Sequence, residues 1–440
     1  MSKQKRKRGV ILTPKGLQKL KDARREYEYR KNFGERYTYQ KLSEITYLDI
    51  NTIKRVLTCQ EAVDKRTLER FFRGFNLELT SDDNTQFNPN KRRDLREAIC
   101  VSNFHGRTTE LTKLEQWLLK DRCRLLTILG IGGVGKTALS IKLIDQIGDK
   151  FDCVIWKSLK HAPPIDKFIT DLLQFLSEKQ ITEAEIPHYT SDKITKLIGY
   201  LRSLRCLVVL DNLESLLCSN IQAGICRQGY EAYSELFRRV GETDHQSCML
   251  ITSREKPNLI AALEGEKLPI KTFRLNGLKE QEGQKILKIK GLDGSELELN
   301  QLVKQCNGNA SALKIVATTI QDVFAGNVAE FLSKEMVVFG DIYKLIDEQF
   351  ERLSALEQEV VYWLAIYRKP ISFSQLRQKM GLAVSRLNLI EVLESLSRRS
   401  IIEPQQSYFK LQSILIEYTL RRFTETENAI TLPKVETTRL

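Results

Sequence analysis

The chain has 440 residues, 42% of them hydrophobic, and a formal net charge of +13. That length exceeds one compact core and suggests about three units. No run reaches the roughly eighteen uninterrupted apolar residues of a membrane helix. The charged start Lys3-Gln4-Lys5-Arg6-Lys7-Arg8 is followed by no apolar signal segment, so a cytoplasmic location without membrane partners is expected. Nine cysteines stand singly, without a CxxC pair and with only four histidines to join them, which argues against a zinc site or a disulfide framework.

Charge is concentrated at one end: residues 1–80 carry 20 Lys+Arg against 10 Asp+Glu. Residues 1–9 read as a solvated leader. Over 37–79, Leu42, Ile45 and Leu48, then Ile50, Ile53, Val56 and Leu57, then Leu68, Phe71, Phe72 and Phe75 recur at three- and four-residue spacings, which predicts three short packed helices. Asp49 is placed to N-cap the second of them. The segment resembles a helix-turn-helix of the phage-repressor type, whose second helix would present Asn51, Thr52 and Arg55 to DNA. Tyr47 stands where such turns usually carry glycine. Charge and motif leave DNA contact and protein docking both open. The polar stretch that follows, including Asn88-Pro89-Asn90, reads as a linker.

An apolar run, Arg124-Leu125-Leu126-Thr127-Ile128-Leu129, then leads into Gly130-Ile131-Gly132-Gly133-Val134-Gly135-Lys136-Thr137. Strand, glycine loop and helix in that order form a phosphate-binding loop. The backbone from Gly130 through Gly132, Gly133, Val134, Gly135 and on to Ala138 would cradle phosphates. Lys136 brings a point charge and the Thr137 hydroxyl would ligate Mg²⁺. Further short apolar strands at 154–156, 207–210, 249–251 and 273–275 alternate with helical stretches, the pattern of a parallel sheet covered on both faces. The strand 206–211 ends in Asp211, the expected metal-side carboxylate. Asn212 follows where a water-activating acid is usual, so hydrolysis is expected to be slow unless Glu214 reaches the site. Arg254, at the end of the strand Cys248-Met249-Leu250-Ile251-Thr252-Ser253, would point toward a γ-phosphate. From Lys279 the periodicity is helical until a β-prone pair near 400–403 and 408–411; helices followed by such a hairpin form a winged-helix pattern, with a polar tail after it.

Taken in order, these motifs resemble the NB-ARC branch of the STAND signalling ATPases over roughly residues 100–425. Phe104-His105-Gly106-Arg107 is similar to the family's opening motif, which implies that Phe104 and Arg107 line the adenine pocket. Phe151-Asp152-Cys153-Val154-Ile155-Trp156 is similar to its second strand, and Thr252-Ser253-Arg254 to its sensor strand. Leu275-Asn276-Gly277-Leu278 resembles its passage into a small helical domain. The chain departs from the family at Gly308-Asn309-Ala310, where a proline that packs on the nucleotide is missing. It departs again at Leu411-Gln412-Ser413, where Gln412 replaces a histidine that meets the ADP phosphate. No repeat pattern follows Phe423.

The expected architecture is an α/β P-loop NTPase with a doubly wound parallel sheet. A helix-turn-helix-like bundle (1–80) and a linker (81–98) precede the nucleotide-binding domain (99–277). A small helical domain (278–338), a winged-helix domain (339–425) and a tail (426–440) follow it. The function implied by the resemblance is a switch that binds ADP or ATP with Mg²⁺, closed with ADP and self-associating with ATP. The alternative is a nucleotide-regulated transcription regulator.

Overall fold

The computed structural model describes residues 9–32, 35–59, 61–86, 91–101, 103–178, 180–334, 338–381, 384–405 and 407–431. Residues 1–8 of the leader, Asn88-Pro89-Asn90 and residues 432–440 of the tail lie outside the described set. The chain divides into two compact units, residues 1–93 with 149–153, and residues 94–148 with 154–440.

In the first unit, β1 (Val10–Leu12) pairs antiparallel with β2 (Asn84–Gln86) beside α1 (Pro14–Lys31), α2 (Tyr39–Thr46), α3 (Ile50–Thr58) and α4 (Lys65–Arg73). The last three are the predicted helices, and Leu42, Ile53, Val56, Leu68, Phe71 and Phe72 form the core. Helix α1 was not legible, because its Lys-, Arg- and Glu-rich sequence shows little amphipathic period; Thr13 starts it by accepting from Gly16 N. Tyr47 supplies the α2–α3 turn in the left-handed region, at φ 55°, with its N–H bonded to Ser43 O. An L-residue tolerates that conformation at a cost of about 1–2 kcal/mol. Asp49 caps α3 as expected, accepting from Thr52 N at 2.9 Å. Arg55 is paired with Glu61 and donates to Ala62 O, whereas Tyr47, Asn51 and Lys54 are exposed.

A six-stranded sheet, ordered β3-β5-β6-β7-β4-β8, has β6, β7, β4 and β8 wholly in the second unit. Its strands are β3 (Arg92–Asp94), β4 (Leu125–Leu129), β5 (Cys153–Ser158), β6 (Cys206–Asp211), β7 (Cys248–Ser253) and β8 (Ile270–Arg274). Strand β4 runs parallel to β7 and β8, and β6 parallel to β7. The stretch read as a linker therefore contains two strands, β2 and β3, too short and polar to show a period-2 pattern. Helices α5 (Thr108–Leu119), α6 (Lys136–Ile147), α7 (Ile165–Leu176), α8 (Thr190–Ser203), α9 (Glu231–Glu242) and α10 (Asn258–Leu263) alternate with the strands, and β4, β6 and β7 are buried throughout. A parallel sheet needs such cover on both faces. Among the described residues no helix is long and apolar enough to cross a membrane.

Helices α11 (Glu280–Ile289), α12 (Glu296–Gln305), α13 (Ala310–Phe324) and α14 (Val328–Leu332) follow. Then come α15 (Gly340–Phe350), α16 (Ala355–Tyr367), β9 (Ile371–Ser372), α17 (Phe373–Met380) and α18 (Arg386–Arg398). The hairpin β10 (Ile402–Gln405) and β11 (Tyr408–Leu411) forms an antiparallel sheet with β9, and α19 (Ser413–Thr431) extends beyond the expected end at Phe423. One apolar cluster runs from Leu278 through Leu313, Ile346 and Leu396 to Tyr418, so α11–α19 share a single core.

A buried ionic cluster ties this helical body to the sheet. Arg399, fully buried, donates to Glu255 at 2.6 Å, to Glu357 at 3.2 Å and to Ile221 O. Arg352 reaches the same Glu255 oxygen and the carbonyls of Glu214, Leu217 and Cys218. Ser395 bonds Glu357 and accepts from Ala223 N. Burial pushes the Glu255 carboxyl up while the two guanidiniums oppose it. Glu255 directly follows Ser253 and Arg254 at the end of β7, so the cluster grips the sheet where phosphate chemistry is expected.

Candidate nucleotide site

The glycine loop joins the carboxyl end of β4 to α6, where ligands gather in parallel α/β sheets. Gly133 and Gly135 adopt φ of 77° and 106°, a region open to glycine. Their amides, with those of Lys136, Thr137 and Ala138 at the start of α6, make the anion-seeking end of a helix. The Lys136 ammonium is buried and donates to the carbonyls of Gly130 (2.8 Å) and Ile131 (3.1 Å). Burial lowers its pKa to about 8, opposed by Glu214 and Asp211.

Thr137 and Asp211 are 74 positions apart, and the Thr137 hydroxyl donates to the carboxylate at 3.0 and 3.2 Å. Thr252 donates to Asp211 Oδ1, the nearer of the two oxygens. Burial raises the Asp211 carboxyl, with both hydroxyls opposing. A hydroxyl beside a carboxylate is a hard-oxygen donor set of the kind Mg²⁺ takes. Asn212, left-handed at φ 67°, donates to Glu214 Oε1. Glu214 is buried, accepts from Arg254 N and pairs with the Arg254 guanidinium at 3.3 Å. A buried carboxylate thus lies beside Asn212, two residues after it. Arg254 also meets Glu348 of α15.

In the opening motif, Phe104 is half-buried and the His105 Nε2 is buried with no hydrogen-bond partner among the described residues. Arg107 is 4% exposed; it donates to Val134 O of the loop, to Gly277 O and to Glu110, while its backbone N–H meets Glu282. A buried ring nitrogen, a loop with glycines in the left-handed region, a buried lysine and the Thr137–Asp211 pair together fit a nucleotide with Mg²⁺.

Gln412 donates to Glu403 at 3.0 Å, its Oε1 is buried without a partner, and among the described residues no hydrogen bond joins it to the loop. The loop is met by other side chains. Asn309, where the family's proline is missing, caps α13 and donates to Gly132 O at 2.7 Å. Ser311 N donates to Gly133 O. Gln349 Oε1 accepts from Gly132 N at 3.2 Å, and Leu345 packs on the loop, since a methyl added at Gly133 would lie 2.9 Å from its Cδ2. The one sequence signal for Gln349 was an amide set between the apolar residues Ile346 and Phe350.

The sheet, the loop and the Thr137–Asp211 pair define a P-loop NTPase. Residues 107–296 match the NB-ARC domain, so the chain carries an NB-ARC domain over that span. It is 40% identical over 344 residues to an uncharacterized WD repeat-containing protein of Nostoc sp., a match covering 76% of this chain and 27% of that protein. It is 22% identical over 277 residues to a disease resistance-like protein of Arabidopsis thaliana, covering 60% of this chain and 21% of that one. The chain thus spans about a quarter of the length of these curated relatives. Among solved structures, a Walker-type ATPase of Pyrococcus abyssi superposes with a TM-score of 0.50 at 16% identity, over 74% of this chain and 99% of that one.

The lowered Lys136 pKa sets a pH dependence. A bound polyanion favours the ammonium, so above pH 8 the free protein must take up a proton to bind. ADP affinity measured by calorimetry is expected to be level from pH 7 to near 8 and then to fall, by up to about tenfold per pH unit. Proton uptake should appear at pH 9 as a buffer-dependent heat.

Proposed function

We propose that the chain is a nucleotide-dependent switch. With a diphosphate in the glycine loop, α11–α19 stay packed on the loop; with a triphosphate they give way and the chain self-associates. The observation that carries this reading is the direct bonding of Gly132 and Gly133 to Asn309, Ser311 and Gln349, all from that body. Gly130 to Ala138 bind the phosphates, Lys136 neutralises them, and Phe104 and Arg107 form the base pocket. Mg²⁺, held by Thr137 and Asp211, would supply charge neutralisation at the phosphates. Arg254 reports the third phosphate. Glu214, tied to Arg254 and Asn212, accepts the proton of an attacking water only when that tie loosens, which makes hydrolysis a slow reset. The proposed location is the cytoplasm. Lys136→Ala should abolish ADP binding in calorimetry while leaving the circular dichroism spectrum unchanged; unaltered ADP affinity would refute the site.

A second reading concerns output through the first unit, proposed here as a helix-turn-helix that binds duplex DNA. Its supporting observation is that Tyr47, Asn51 and Lys54 lie exposed at the α2–α3 corner while Arg55 is held by Glu61. Affinity of the full chain for a labelled duplex should fall as salt rises, and Lys54→Ala should reduce the slope of log K against log salt by about 1. No duplex binding at low salt would leave protein docking as the role of this unit.

A further inference from the structure

We propose that Gln349 and Glu348 stand in for the third phosphate of a nucleoside triphosphate, so that the closed arrangement accepts a diphosphate and refuses a triphosphate. This deepens the switch reading above and rests on it.

Two donors suited to a terminal phosphoryl group converge on one point. Gly132 N–H lies at the end of the loop away from α6, and a methyl on Gly132 would sit 3.3 Å from the Arg254 guanidinium carbon. A backbone amide beside a guanidinium is a pairing that phosphate oxygens take. Both donors are already occupied by α15. Gln349 Oε1 accepts from Gly132 N at 3.2 Å, and the Glu348 carboxylate lies 3.3 and 3.4 Å from the Arg254 nitrogens. Leu345, one turn earlier on α15, closes the space, 3.3 Å from the same methyl position.

The carrier of the effect is Gln349, 4% exposed, because its geometry is fixed from behind. Its Nε2 donates to Arg399 O at 2.9 Å, and the Arg399 side chain is locked between Glu255 and Glu357. Glu348 is largely exposed and contributes less through its ion pair. It also places a negative charge where a third phosphate would arrive. Among the described residues no side chain of α15 is hydrogen-bonded to the amides at the start of α6, so a diphosphate meets no equivalent obstacle there.

Dissociation constants of the full chain for ADP and for ATPγS, each with Mg²⁺, test this. Gln349→Ala should tighten ATPγS about tenfold or more, the share of one hydrogen bond to a charged group, and leave ADP within about twofold. Glu348→Gln, at an exposed position, should tighten ATPγS about threefold. If Gln349→Ala does not fold, Gln349→Met keeps the side-chain length, removes the acceptor and should give the same shift. An unchanged ADP-to-ATPγS ratio in Glu348→Gln and in the folded 349 variant overturns the proposal. Failure of the unaltered chain to bind either nucleotide would instead remove the switch reading beneath it.

Discussion

Both backbone groups of Gly132 are bonded by one body: its N–H donates to Gln349 Oε1 and its carbonyl accepts from Asn309 Nδ2. Buried backbone groups must find partners, and in a phosphate loop the ordinary partner of such an amide is the ligand. Here the Gln349 side chain of α15 takes that role, while Asn309, the N-cap of α13, donates to the neighbouring carbonyl. Phosphate binding at the loop and packing of the helical body are therefore linked by a common donor, and any coupling between them acts equally in both directions.

The ionic cluster around Glu255 joins the same two parts at a second place. Arg399 and Arg352 come from the helical body, Glu255 and the carbonyls at 214, 217 and 218 from the nucleotide-binding part. Buried ion pairs contribute little net stability when intact, yet losing one partner typically costs about 3–5 kcal/mol. Such a cluster holds one arrangement sharply and does not tolerate a partial one. Arg254 and Glu255 are adjacent, so the guanidinium that meets Glu348 and the carboxylate that Arg399 grips sit on consecutive residues.

Much of this was legible in the sequence. The glycine loop, the strand ending in Asp211 and the strand ending in Arg254 announce themselves by local pattern, since a buried strand and an amphipathic helix leave clear periods. Tyr47 was an apparent obstacle to a turn that forms by placing it in the left-handed region. Helix α1 and strands β2, β3 and β9 were not legible; they are short or polar, and their partners are distant in the chain. The role of Asn309 was hidden for another reason: a family comparison registers the missing proline but not the hydrogen bonds an amide makes instead. Gln349 lies 217 positions from Gly132, and only the folded chain brings them together.

Hydrogen exchange across α15 tests the coupling of loop and helical body most directly. With site-saturating ATPγS and Mg²⁺, amides of residues 342–353 should exchange about tenfold or more faster than with ADP, as α15 leaves Gly132. Equal exchange rates in the two nucleotides, with both shown to occupy the site, would contradict the account.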